Sequence, residues 1–134
     1  MVEAGYGMHA QLDLPYGQAI RAVTAALKTQ GFGVLTEIDV RQTLKAKLDV
    51  DTDPYIILGA CNPKLAHRAL EIEPEVGLLL PCNVIVYSHK DGPGSVVAIL
   101  DPKTMMGVAN NPALEAVAEE AARLLKLVLD EVKR

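Results

Sequence analysis

The two cysteines of this chain, Cys61 and Cys82, each stand immediately before an asparagine, in the segments Ala-Cys-Asn-Pro and Leu-Pro-Cys-Asn. A thiol beside a carboxamide is a chemically useful pair. The thiolate is a nucleophile and a soft-metal ligand, and the amide offers both a donor and an acceptor. Cys61 falls where the apolar segment "PYIILGA" gives way to the helix-like "NPKLAHRAL". Free N–H groups at a helix start favour negative charge, so a thiol at this junction is a candidate for a lowered pKa. The plainer reading makes Cys61 a small buried apolar residue, because free cysteine is among the most buried residue types. Asn62 likewise reads as a helix N-cap, and Asn83 as a turn residue after Pro81.

If the strand entering Cys61 neighbours the strand that Cys82 begins, then Cys61, Asn62, Cys82 and Asn83 converge on one ligand-binding site. The same convergence would let Cys61 and Cys82 act as a redox couple or as ligands to a soft metal, with His67 or His89 nearby. The spacing does not announce a metal site: twenty residues separate the thiols, without the Cys-x-x-Cys pairs of zinc centres, and none is assigned. No Ser, His and acid arrangement marks a catalytic residue. His9 and His89 read as solvated, and "GYG" and "GFG" lack the strand-to-helix setting of a phosphate loop. Met105 and Met106 read as fillers of a core gap or cover for an interface.

The elements that must position these residues are legible in the periodicity. "YGMHAQLDL" alternates as a strand, with Met8, Ala10 and Leu12 on one side. Pro15 opens a helix carrying Ala19, Ile20, Val23, Ala26 and Leu27 inward until Gly31 stops it. "GFGVLTEI" is extended, and Asp39 with Gln42 forms a capping-box pattern ahead of a short polar helix with Val40, Leu44 and Leu48 in line, while "TLKAKLDV" also reads as an alternating strand. "PYIILGA" has the continuous apolar character of an interior strand. Asn62 and Pro63 then start a helix with Leu65, Ala66, Ala69 and Leu70 inward, ended by Pro74. After a loop around Gly77 and Pro81, "NVIVYSH" and "SVVAILD" are strands joined by the turn "KDGPG". "PKTMMGVANNP" reads as a loop or one helical turn. A long helix capped by Asn111 closes the chain, with Leu114, Val117, Ala118, Ala121, Leu124, Leu125, Val128 and Val132 on its apolar stripe, and with Lys133 and Arg134 suiting its C-terminal dipole.

The 134 residues fit one domain, 1–134, with neither linker nor repeat, and a chain of this length buries enough surface to need no covalent staple. Half the residues are hydrophobic, yet there is one Phe, four Tyr and no Trp, so the core is aliphatic and no aromatic platform for stacking bases is available. The formal charge is 13 minus 17, or −4. An acidic balance excludes a general electrostatic grip on nucleic acid or anionic lipid. Apolar runs fall short of the roughly 20 residues that cross a bilayer, and no secretory leader is apparent. The expected location is cytoplasmic, where thiols are more often reduced, catalytic or metal-binding than bridged.

At "LGACNPKLAHRAL", "GLLLPCNVIVY" and "DPKTMMGV" the sequence resembles the bacterial and archaeal family catalogued as domain of unknown function 302. The resemblance runs from the first helix to the last and carries no settled activity or cofactor. It implies an α+β fold in which helices cover one side of an antiparallel sheet, in the TATA-binding-protein-like class, and a homodimer. Fold analogy brings no nucleic-acid function with it. The reading that joins these observations is a non-enzymatic, homodimeric domain binding a small molecule at the two Cys-Asn segments. The alternative is a thiol-dependent redox or metal-handling protein using Cys61 and Cys82. A third reading makes the motif a packing joint, with function on the dimer surface.

Overall fold

A computed structural model describes residues 3–89 and 92–133. Five strands, β1 (Gly7–Leu12), β2 (Gly33–Asp39), β3 (Tyr55–Cys61), β4 (Cys82–Ser88) and β5 (Ser95–Leu100), form one antiparallel sheet in the order β1-β5-β4-β3-β2. Helices α1 (Tyr16–Thr29), α2 (Val40–Leu48), α3 (Pro63–Ile72), α4 (Pro102–Ala109) and α5 (Glu115–Val132) connect or follow them, giving an α+β fold. Among the described residues, no helix is long and apolar enough to cross a membrane.

Period-two alternation decides which side chains enter the core. In register, Ala10 faces Val97, Val97 faces Val86 and Val86 faces Ile56, while Ile99 faces Val84 and Val84 faces Leu58. All are buried, and they form one cluster with Ala19, Val23 and Leu27 of α1 and Leu125, Val128 and Leu129 of α5. β-Branched residues on the pleat meet two helices whose apolar positions recur every three to four residues, so one face of the sheet is sealed by aliphatic packing. The alternate positions Tyr55, Ile57, Ile85 and Tyr87 belong to neither hydrophobic cluster. There the Tyr55 and Tyr87 rings stack with centroids 5.5 Å apart.

A second, smaller cluster lies beyond the main core: Leu65 and Ala69 of α3, Val76, Leu114, and Val117 and Ala121 of α5. α5 serves both clusters, with Leu125 and Val128 toward the main one.

Caps fall where side-chain chemistry sets them. Asp39 Oδ1 accepts from the Gln42 N–H at 2.9 Å, starting α2, and Asn62 Oδ1 accepts from the Leu65 N–H at 3.3 Å, starting α3. Gly31 ends α1 at φ +82°, a left-handed conformation that glycine adopts without a Cβ penalty. The strands flanking "KDGPG" pair antiparallel from Ser88 opposite Ser95, while Lys90 and Asp91 of that turn lie outside the described residues, as does Arg134.

Some expectations need correction. His9, read as solvated, has a side chain only 11% exposed, with its Nδ1 4.0 Å from Glu3 Oε1. "PKTMMGVA" is the eight-residue helix α4: Asp101 Oδ1 accepts from the Lys103 N–H at 3.0 Å, Pro102 fits the first turn, and Asn110 closes it at φ 50°. The expected loop around Gly77 contains a 3-10 helix, Pro74–Leu79, that follows α3. Leu70 is 41% exposed rather than inward, because the buried stripe of α3 is the narrow pair Leu65 and Ala69.

Candidate functional site

Cys82 opens β4 directly opposite Ala60, the residue before Cys61 at the end of β3. The two Cys-Asn segments therefore meet at one end of the sheet, as the conditional expectation required. Alternation then sorts their side chains. Cys82 shares the inward face of Val84 and Val86, both fully buried, and packs on the main cluster. Asn83, one residue on, faces the other way, exposed and opposite Gly59.

Cys61 and Cys82 both line a cavity of about 100 Å³. Its walls come from every element gathered at this end: Phe32 and Ala60, Leu65 and Ala69 of α3, Leu80 and Pro81 ahead of β4, Met105 and Met106 of α4, and Val117 and Ala121 of α5. The cavity thus occupies the seam between the two hydrophobic clusters. The thiols aside, Asn62 is its one polar lining residue, and that amide is engaged twice: it caps α3, and its Nδ2 donates to the Gln30 carbonyl at 3.4 Å. Gly31 lies against it, since a Cβ there would come within 3.2 Å of Asn62 Nδ2. Asn62 therefore clamps the α1–β2 connection to the start of α3.

The electrostatics follow from the hydrocarbon setting. Burial pushes the Cys82 thiol up to about 11, and the neighbouring Cys61 adds to the shift. A thiolate has lost its water here and gained no cation. Both thiols are free. Neither histidine named in the soft-metal reading joins them: His67, 76% exposed, pairs with Glu71 at 3.1 Å on the outside of α3, and His89 follows the opposite end of β4. Among the described residues, no group of three or more His, Cys, Asp or Glu side chains is arranged to hold a metal ion.

Of the four expected site residues, Cys61, Asn62 and Cys82 come together and Asn83 does not. Sequence reasoning missed most of the wall. Ala66, Ala69, Ala109, Ala118 and Ala121 all border the cavity, and small residues on helices that otherwise carry Leu and Val were the available signal. Met105 and Met106 line it too, in keeping with their reading as gap fillers.

Residues 8–132 match the family model "Domain of unknown function DUF302". The chain is also similar to a solved structure, the crystal structure of uncharacterized conserved protein DUF302 from Bacillus stearothermophilus. The TM-score is 0.87 and the identity 30%, covering 98% of this chain and 100% of that one. Compared with curated proteins, the chain has no match.

Proposed function

We propose a function from one premise, that the chain belongs to the DUF302 family: it is a single-domain, non-enzymatic, homodimeric binding protein whose small ligand enters the cavity between Cys61, Asn62 and Cys82. The observation that carries this reading is the meeting of both Cys-Asn segments on one apolar cavity at the seam of two cores. A gap left among close-packed side chains costs stability, so an occupant that fills it is favoured. The apolar sheet face bearing Tyr55, Ile57, Ile85 and Tyr87 supports self-association, because a two-fold axis lets such a patch cover itself.

The runner-up, thiol-dependent redox or metal handling, draws on the presence of Cys61 and Cys82 in the same wall. The raised Cys82 thiol weighs against it, since the thiolate is both the nucleophile and the metal ligand.

A thermal-shift screen of metabolites and metal ions tests both. A compound at a hundred times its Kd stabilises the folded state by about 2.7 kcal/mol, well within reach of a melting curve. The leading reading expects a metabolite whose stabilising effect survives the Cys61→Ser, Cys82→Ser double variant and fails when Ala118→Leu fills the cavity. A stabilising soft metal lost in the double serine variant would replace it with the runner-up. Sedimentation velocity at micromolar concentration checks the dimer, and a sharp monomer boundary would remove that part of the proposal.

A further inference from the structure

Resting on the cavity as a ligand site, we infer that its occupant is the end of a saturated aliphatic chain, about four carbons of which are buried while a polar head stays in water. The lining leads there by elimination. A polar ligand group placed inside would lose its hydration and meet a single amide in the wall, that of Asn62, which already spends one acceptor site on the Leu65 N–H and one donor on the Gln30 carbonyl. An aromatic ring is excluded by size, since an apolar cavity that accepts benzene measures roughly 150 Å³ and this one about 100 Å³. What remains is aliphatic carbon, the Phe32 ring and sulfur, a surface that offers dispersion contacts and no strong directional partner.

Size narrows the class. An engineered apolar cavity of roughly 150 Å³ takes up the six carbons of benzene, so by proportion one of about 100 Å³ accepts about four. The wall also suits a chain that varies in shape. Met105 and Met106 are unbranched, polarizable and adjust to irregular occupants, and they sit on α4, whose one buried residue is Pro102.

The test is a homologous series of straight-chain carboxylates, propanoate to octanoate, titrated into the full chain labelled with ¹³C at the methionine methyl groups. Met105 and Met106 report the cavity, and Met8, packed against the main cluster from β1, is the internal control. The inference expects the Met105 and Met106 signals to move while Met8 stays still, with affinity rising about fourfold per added methylene and levelling off after about four buried carbons. Ala118→Leu, or Ala69→Val if the first variant folds poorly, should abolish these shifts. Should a polar metabolite or a metal ion move the same two methionines while the carboxylates do not, the aliphatic class is wrong and the site stands. If nothing tested moves them, the site reading falls as well. If the carboxylates bind a folded cavity-filled variant as they bind the wild type, they bind elsewhere and the inference is overturned.

Discussion

Cys82 is a residue whose position in a strand decides its chemistry. Alternation turns it inward with Val84 and Val86, and withdrawal from water raises its pKa from an ordinary 9.0 to about 11. At pH 7 that leaves roughly one molecule in ten thousand with a thiolate at this position, so Cys82 should react with maleimide or a disulfide reagent far more slowly in the native protein than in urea, which a stopped-flow titration of free thiols measures. The same shift makes a statement about stability. The folded pKa lies above the unfolded one, so the contribution is fully present below about pH 9 and is lost as pH climbs toward 11, where folding must bury a charge. Discounted for the partial exposure of the side chain, the loss is on the order of 2 kcal/mol. Denaturant melts of the wild type and Cys82→Ala across pH 8–11 isolate it: the variant is less stable below about pH 9 for want of packing, and its stability falls less steeply with pH. Equal slopes would mean that the thiol is better hydrated than its surroundings imply.

At the scale of elements, local chemistry was legible in the sequence wherever one residue type has one strong reason to be present. Asn62 before Pro63, Asp39 before Gln42 and Gly31 after Leu27 mark helix ends by capping or by left-handed backbone, and each does so in the structure. What could not be read was set by other elements. α4 carries Gly107 and Thr104 and presents no buried stripe of its own, so its helical state depends on the Asp101 cap and on packing against α5. The convergence of Cys61 and Cys82 depended on β3 pairing with β4, and the separation of Asn83 on the phase of that pairing. Two substitutions test these joints. Asn62→Ala removes both the α3 cap and the tie to Gln30, and should cost about 1–2 kcal/mol in urea denaturation, whereas Asn62→Asp keeps the cap acceptor, loses the donor to the carbonyl, and should recover part of that. Gly59→Ala places a methyl group against Thr36 Oγ1 and within 2.8 Å of Pro81 Cγ, where β2, β3 and the entry to β4 meet. It should destabilise by about 1–3 kcal/mol, and less in a Thr36→Ala background, since one of the two clashes is then relieved.

The whole molecule is two unequal cores sharing one helix. The main core is closed by hydrogen-bonded strands and by α1 against α5, so it should open only with global unfolding. The smaller core has no strand of its own: α3, the 3-10 helix after it and α4 lean on the first turns of α5, and the cavity at the seam deprives them of contacts on their inner side. Unequal packing density predicts unequal local stability. Amide exchange followed by NMR should therefore find α4 and the Pro74–Leu79 helix opening at a small fraction of the global free energy, with β4, β5 and the second half of α5 exchanging last. Such an opening widens the mouth of the cavity beside Met105 and Met106 without disturbing the sheet, and so would ease the entry of the proposed occupant. Whatever binds there must then slow exchange in α4 and α3 selectively, because it stabilises only the closed form of the smaller core. Uniform exchange across both cores would show one cooperative unit instead. The cavity would then widen only on global unfolding, and an occupant would have to enter through its existing mouth.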